Sequence, residues 1–277
     1  MALLDGHSII FRAYFALKDN PLSVRRTGEV TSAVYGFANT LLRVIADLKP
    51  THIAVAMDRV GPTFRHEREI TYKAHRPPPP DDLIPQIARV RQLLEAFNIP
   101  IYEAEGFEAD DCIGTLARQA AAQGIETYIV TLDSDLVQLV QPNVIVYMYR
   151  PYQRDVVIYD SPESVKARYG VWPDQIPDLK ALKGDPSDNI PGVPGVGEKT
   201  AVKLLQTFGH TENIYEFIWQ VSPPKLQETL RQYEEQVRRN KELATISTAC
   251  PAQLDLERCR VGAYDRERVL HLFQELE

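Results

Sequence analysis

The chain has 277 residues, of which 44% are hydrophobic, and a formal net charge of −7. No segment approaches the roughly 18 consecutive apolar residues of a membrane span, and the amino terminus lacks the basic and apolar regions of a signal peptide. Three widely spaced cysteines form neither a disulfide framework nor a zinc pattern, so composition excludes membrane and disulfide-rich secreted proteins and favours a cytoplasmic globular protein.

The first 160 residues alternate strand-like and helix-like segments, which predicts an α/β domain with a mostly parallel sheet and flanking helices. The strands are predicted near residues 2–4, 52–57, 99–102 and 126–132, with a closing hairpin of residues 144–149 and 155–159. The helices are predicted at residues 31–48, at 85–97 and from about residue 108.

The rest of the chain is predicted to be helical, because no clear strand follows residue 160. The helices are predicted at residues 162–169, 176–183, 198–208, 224–239 and 265–276. We therefore predict a core of residues 1–160, which includes a basic arch segment at residues 59–82, and a helical region of residues 161–277.

Nine acidic residues form five short clusters, most of them at the end of a predicted strand or the start of a predicted helix. They are Asp5, Asp58, Glu108, Asp110, Asp111, Asp133, Asp135, Asp185 and Asp188. Sites in open α/β sheets form at the carboxyl ends of strands, so these acids are expected to converge. Two such charges about 4 Å apart repel each other by roughly 4 kcal/mol. Since Mg²⁺ prefers carboxylate oxygens, the clusters predict a two-metal site for phosphodiester cleavage.

Other interpretations of these acids are weaker. A single acid is usually a solvated surface residue, and one acid at residues 108–111 would serve as a helix cap. The Asp133-Ser134-Asp135 motif lacks the glycine and the final glutamate of an EF-hand loop. The Asp5-Gly6-His7 motif lacks the second aspartate of a phosphoaspartyl hydrolase. His7 is either the partner of a metal ligand or a structural histidine.

The basic arch segment, residues 59–82, contains candidate catalytic and DNA-contacting residues. They are Arg65, Tyr72, Lys73 and Arg76, and Arg12 lies close enough to Asp5 in sequence to face the same pocket. Lys73 and Arg76 are predicted to lie over the scissile phosphate, and Tyr72 to stack on a base. The alternative is a solvated helix face. Without DNA, we expect the segment to be coiled or disordered, because its basic side chains lack their main partner.

A glycine-rich loop joins the helices predicted at residues 176–183 and 198–208. Its candidate DNA-binding residues are Gly192, Gly195, Gly197, Lys199, Thr200 and Lys203. Glycines let backbone amides approach a phosphate closely, and a helix begins beside them. The pattern of a nucleotide-binding P-loop is absent. The loop predicts a helix–hairpin–helix variant that holds the duplex backbone without reading bases, and the alternative is a tight helix connection.

Several motifs with a specific order and spacing run from residue 3 to about residue 205. They are Leu4-Asp5-Gly6-His7-Ser8, Phe64-Arg65-His66-Glu67, Tyr72-Lys73-Ala74-His75-Arg76-Pro77, Gly106-Phe107-Glu108-Ala109-Asp110-Asp111, Asp133-Ser134-Asp135-Leu136 and the stretch of residues 183–201. Together they resemble the 5′-nuclease domain family of bacterial DNA polymerase I. The resemblance implies a PIN-like core, a helix–three-turn–helix motif at about residues 176–208, and a structure-specific 5′–3′ exonuclease and flap endonuclease.

The resemblance also implies roles for the acids. Asp5, Asp58, Glu108 and Asp110 would hold the first of two Mg²⁺ or Mn²⁺ ions, and Asp111, Asp133, Asp135 and Asp188 the second, assisted by Asp185. A potassium ion would bind at the glycine loop. The implied partners are DNA with a 5′ flap or a 5′ end at a duplex junction, and a polymerase domain, with the chain monomeric. The alternatives are a stand-alone flap nuclease and a module that binds DNA junctions without cutting them.

Overall fold

A six-stranded sheet organises the first part of the chain. The computed structural model describes residues 1–150, 155–262 and 264–276. The strands are β1 (Ala2–Asp5), β2 (Ile53–Ala56), β3 (Ile101–Tyr102), β4 (Thr127–Val130), β5 (Val144–Arg150) and β6 (Asp155–Tyr159). Their order is β3-β2-β1-β4-β5-β6, and all pairs are parallel except the antiparallel pair of β5 and β6. The predicted parallel sheet with a closing hairpin is confirmed.

Helices flank the sheet and form the second half of the chain. In the first half they are α1 (Gly6–Ala16), α2 (Ser32–Leu48), α3 (Phe64–Arg68), α4 (Leu83–Ala96) and α5 (Ala109–Ala122). In the second half they are α6 (Pro162–Tyr169), α7 (Ile176–Lys183), α8 (Glu198–Phe208), α9 (Thr211–Glu216), α10 (Pro224–Gln232), α11 (Glu234–Ala244), α12 (Leu256–Cys259) and α13 (Arg266–Glu275). Within the described residues, no helix is both long and apolar enough to cross a membrane.

Both faces of the sheet are covered, which explains the apolar sequence of β1. Leu4 belongs to a core cluster that includes residues of α1, α2 and α4, whereas Leu3 belongs to a cluster that includes residues of α5 and the helical region. A strand buried on both faces has to be apolar along its length. Asp5, the last residue of β1, is the only charged residue of the strand.

Several regions differ from the prediction. The helix predicted at residues 224–239 is divided at Tyr233 into α10 and α11, and α1, α9 and α12 form where the sequence predicts no helix. The arch segment, residues 59–82, contains α3 and several turns. Its Arg65 and Tyr72 side chains are buried. Outside α3 the segment has the expected coil and turns, but its basic side chains find carboxylate partners inside the protein, which the expectation did not include.

Candidate active site

Acidic residues meet at one edge of the sheet because neighbouring parallel strands end there. Asp5 is the last residue of β1, and Asp58 and Asp133 follow shortly after β2 and β4. Strand β1 lies between β2 and β4 and is parallel to both. The carboxyl ends of parallel strands share one edge of a sheet, so the topology itself brings the three acids together.

Asp5 and Asp110 are carboxylates of this edge whose pKa values are raised, mainly by burial. Burial raises the pKa of Asp5 to about 7, even though the Thr131 hydroxyl (2.7 Å) and the Ser8 amide (3.1 Å) donate hydrogen bonds to it. The pKa of Asp110 lies well above its usual value, first because of burial and then because of the charges of Asp5 and Asp133. A bound cation would relieve both effects. This group therefore has the oxygen donors and the electrostatics of a divalent-metal site.

Asp58 is held in place by the start of α5 and by His7. Its Oδ1 accepts a hydrogen bond from the Ala109 amide at 2.7 Å, and its own amide donates one to Nδ1 of His7 at 2.9 Å. Oδ2 of Asp58 lies 3.6 Å from the same ring nitrogen. Of the two interpretations of His7, the structure favours the partner of a candidate ligand, because the ring fixes the backbone that carries Asp58.

A second group of carboxylates consists of Asp135, Asp185 and Asp188, which offer oxygens within 4.8 Å of one another. Nζ of Lys180 donates to Asp135 and, at 2.5 Å, to Asp185. Burial and then the charge of Asp133 raise the pKa of Asp135 to about 7. Burial acts the same way on Asp185, but Lys180 outweighs it and lowers the pKa of that residue. The Lys180 ammonium thus lies where a cation is needed, which fits a second metal site.

Asp111 belongs to neither group. Its oxygens accept hydrogen bonds from both terminal nitrogens of Arg65 at 2.8 Å and from the Ser247 amide at 2.8 Å. Nε of Arg65 donates to the Leu243 carbonyl at 2.9 Å, and both charged residues are buried. These contacts do not support the predictions that Asp111 binds the second metal and that Arg65 contacts DNA, and both stay predictions. The two residues form an internal ion pair that leaves neither charge free for a ligand.

Three further residues of the arch segment, Tyr72, Lys73 and Arg76, lie against the carboxylates. Nζ of Lys73 is 2.8 Å from Glu108, and Nη2 of Arg76 is 2.7 Å from Asp188. The Tyr72 hydroxyl lies 3.2 Å from a carboxylate oxygen of each of these acids, and the residue is only 2% exposed. The predicted stacking of Tyr72 on a base is therefore corrected. Lys73 and Arg76 lie at the edge of the acidic site, and their predicted position over a phosphate stays a prediction.

Two family models match the chain in succession. The 5′–3′ exonuclease N-terminal resolvase-like domain matches residues 1–170, and the 5′–3′ exonuclease C-terminal SAM fold matches residues 171–267. The chain belongs to the 5′–3′ exonuclease family. This confirms the family that the sequence motifs resemble.

Curated relatives of this exonuclease-family chain are DNA polymerases I. The enzyme of Chloroflexus aurantiacus is 50% identical and that of Bacillus subtilis 45% identical, in each case over 100% of this chain. The chain spans only 29% and 31% of those two relatives. A bacteriophage T5 5′-exonuclease with bound zinc aligns with a TM-score of 0.72 at 20% identity, covering 100% of this chain and 99% of that one. The catalytic core of Rad2 in complex with DNA aligns with a TM-score of 0.61 at 18% identity, covering 99% and 86%. These two likenesses show the fold.

In this member of the exonuclease family, the glycine loop follows directly on the second carboxylate group. Backbone hydrogen bonds of 2.8 and 2.9 Å between Asp185 and Ile190 close the turn that carries Asp188. A Cβ atom on Gly192 would lie 2.2 Å from the Lys183 carbonyl oxygen, so the packing of the loop against the end of α7 requires glycine there. The tight connection thus accounts for Gly192, and its contact with DNA stays a prediction.

The other loop residues are open to a ligand. Gly195 has a φ of +80°, and nothing lies within 4 Å of a Cβ atom built on it or on Gly197. Lys199 and Lys203 are exposed on the first turns of α8, and Thr200 is half-buried between them. This arrangement leaves amide, hydroxyl and ammonium donors available to one ligand, as the predicted hold on a DNA backbone requires.

Two further basic residues need comment. Arg12 is exposed on α1, the helix that begins next to Asp5, and its predicted role stays a prediction. Sequence reasoning missed Lys180. The available signal was a lysine within the otherwise mostly buried helix α7, five residues before Asp185.

Proposed function

We propose that the chain hydrolyses DNA as a structure-specific 5′–3′ exonuclease and 5′-flap endonuclease that uses two divalent ions, Mg²⁺ or Mn²⁺. The observation that supports this best is the pair of adjoining carboxylate groups, in which the pKa values of Asp5, Asp110 and Asp135 are raised in the absence of cations. Lys73 and Arg76 lie against these groups, and the glycine loop follows them in the chain. Acidic metal ligands beside phosphate-binding groups are what phosphodiester hydrolysis needs.

Each ion is assigned four ligands. We propose Asp5, Asp58, Glu108 and Asp110 for the first ion, and Asp133, Asp135, Asp185 and Asp188 for the second. When bound, the two ions supply the activation of water for attack and the stabilisation of charge on the leaving oxygen. Asp111 is left out of the set, because its side chain is fully buried and both of its oxygens accept hydrogen bonds from Arg65, whereas the side chain of Glu108 is partly exposed.

The basic residues complete the site. Lys73 and Arg76 are proposed to offset negative charge on the phosphoryl oxygens in the transition state, and Arg12 to contribute from α1. Without DNA, Lys73 and Arg76 are paired with carboxylates. The Arg76 side chain is 49% exposed, so its ion pair is weak and readily exchanged for a phosphate. Cleavage would leave a 5′-phosphate on the downstream strand and a 3′-hydroxyl on the released fragment.

Finer points belong to the same proposal. The substrate is DNA with a 5′ flap or a 5′ end at a duplex junction, and a potassium ion binds between the carbonyls of the glycine loop and a DNA phosphate. The chain acts as a monomer in the cytoplasm, attached to a polymerase domain. The names of the curated relatives support the polymerase context.

A cleavage assay tests the proposal. Purified protein is incubated with a labelled 5′-flap duplex with and without Mg²⁺ or Mn²⁺, and product lengths are measured. We expect metal-dependent cutting at the junction, and loss of cutting with retained DNA binding in a double variant, Asp133→Asn with Asp135→Asn. Asp174→Asn, which changes an exposed acid outside the carboxylate groups, serves as the matched control. Unchanged cutting by the double variant would contradict the site, and binding without cutting by the wild type would favour a junction-binding module.

A further inference from the structure

A groove between α8 and the start of α10 extends beyond the candidate DNA-binding residues of the glycine loop and α8. Its volume is about 720 Å³, and Pro194 and Gly195 of the glycine loop lie at its edge. Three lysines line it, of which Lys199 and Lys203 come from α8 and Lys225 comes from α10. Of the described residues that line the groove, none is acidic. The groove is therefore a concentrated patch of positive charge.

The three lysines are available to a ligand. All are exposed, and the ion pairs found among the described residues involve other lysines, such as the pair of Lys183 and Glu198 at 3.0 Å. Positive charges that a protein uses for its own stability are normally close to carboxylates. Three neighbouring lysines without such partners indicate an anion that comes from outside the chain.

The other lining residues suit a sugar–phosphate backbone. The apolar floor includes Leu204 and Val221, which are buried, while Ser222 adds a hydroxyl group. The hydroxyls of Thr207 and Thr229 donate to helix carbonyls and can only accept from a ligand. Nucleic-acid backbones are bound by lysines, hydroxyls and amides that contact phosphate and sugar without reading bases. The groove is also continuous with the loop proposed to hold DNA, since Lys199 and Gly195 belong to both.

We infer that this groove binds the backbone of the same DNA duplex that the glycine loop holds, and that Lys225 is a phosphate contact. The inference rests on the proposed function and extends its duplex-binding surface from α8 to α10. Lys225 lies outside both carboxylate groups, so it acts on duplex binding rather than on the chemical step.

Binding measurements on a Lys225→Ala variant test the inference. The Kd for a 5′-flap duplex is measured in EDTA at four salt concentrations, and cleavage is measured with Mg²⁺. We expect a Kd increase of roughly threefold to fivefold, because one exposed charge contributes little. The slope of log K against log salt should fall by about 0.9, the value for one lost phosphate contact. KM should rise while kcat stays the same.

Two further variants make the test specific. Arg231→Ala removes one exposed positive charge from the same helix outside the groove, and it should leave the salt slope unchanged. Lys225→Arg keeps the charge and should retain binding. Thermal unfolding of each variant shows that it is folded. If the wild type binds and cuts the flap, but Lys225→Ala and Arg231→Ala have the same Kd and the same salt slope, this inference alone is overturned. Wild-type protein that neither binds nor cuts DNA overturns the proposed function as well.

Discussion

Asp110 and Asp111 are neighbours in the first turn of α5, yet the protein treats their charges in opposite ways. Successive side chains of a helix point about 100° apart, so the two carboxylates leave the helix in different directions. Asp111 meets Arg65 in an internal ion pair. Asp110 faces other carboxylates, and its pKa is raised by burial and by the charges of Asp5 and Asp133. Asp111, fully buried with Arg65, is therefore structural, whereas Asp110, left among other carboxylates, is available to a metal ion.

A raised pKa separates two acidic groups that geometry alone cannot distinguish. The pKa of Asp135 stays raised to about 7, by burial and the charge of Asp133, even though Lys180 donates to it. The oxygens and ring nitrogen of Asp178, His210 and Glu212 also lie within 4.8 Å of one another. However, Nζ of Lys241 lies 2.6 Å from Asp178 and 2.7 Å from Glu212. Hydrogen bonds from Lys241, His210 and Thr211 outweigh burial and lower the pKa of Asp178. This cluster holds α9 in place and needs no metal ion.

The largest expected effect is a loss of stability when Asp111, the structural acid, loses its partner Arg65. Arg65→Ala leaves Asp111 buried without a counter-charge, so we expect the free energy of unfolding to fall by roughly 3–5 kcal/mol. Urea unfolding in EDTA measures the loss. Arg68→Ala is the matched control, because its pair with Glu242 is exposed and should contribute less than about 1 kcal/mol. Similar losses in the two variants would refute the distinction between the two acids of α5.

The sequence predicts the acidic edge but not the partners of the acids. Strand ends and helix starts follow from local apolar patterns, and these place Asp5, Asp58 and Asp133 together. The role of Arg65 depends on the Leu243 and Thr245 carbonyls, which accept hydrogen bonds from it. These two residues lie 178 and 180 positions after Arg65 in the chain. Such contacts exist only after the arch segment has packed against the end of α11, and no local pattern encodes them.

The next effect concerns Lys180, which stands in for a cation between Asp135 and Asp185. In EDTA, Lys180→Met removes two hydrogen bonds to charged groups, and we expect a loss of roughly 2–3 kcal/mol in the free energy of unfolding. Saturating Mg²⁺ should reduce this loss, because a bound cation replaces the ammonium and stabilises the folded state. Urea unfolding with EDTA and with Mg²⁺ measures both values.

Lys183→Met provides the comparison for Lys180, since it removes a partly exposed lysine of the same helix, which is paired with Glu198. Its effect should be small and the same under both conditions. An equal loss for Lys180→Met with and without Mg²⁺ would mean that this lysine has a purely structural role.

The smallest expected effect is a gain in stability. Asp110→Asn removes a charge that the metal-free protein holds unfavourably, so the variant should be slightly more stable than the wild type in EDTA at pH 8. The folded pKa of Asp110 is raised, so the wild type loses stability as pH rises above the ordinary aspartate value of 3.8, and the gain should disappear below that value. Asp5, with a pKa of about 7, contributes in the same direction. Unfolding temperatures between pH 3.5 and pH 8 measure the effect.

Asp111→Asn supplies the opposite case at the adjacent residue. The substitution removes the closer of the two carboxylates that pair with the buried Arg65 guanidinium and leaves only Glu108 at 3.2 Å, so stability should fall at pH 8 rather than rise. Addition of Mg²⁺ should stabilise the wild type and Asp111→Asn, but should stabilise Asp110→Asn less, because that variant lacks a ligand of the first ion. Equal responses of the two variants to pH and to Mg²⁺ would show that the acids do not differ. Opposite responses would establish that one turn of α5 divides a structural charge from a metal-binding one.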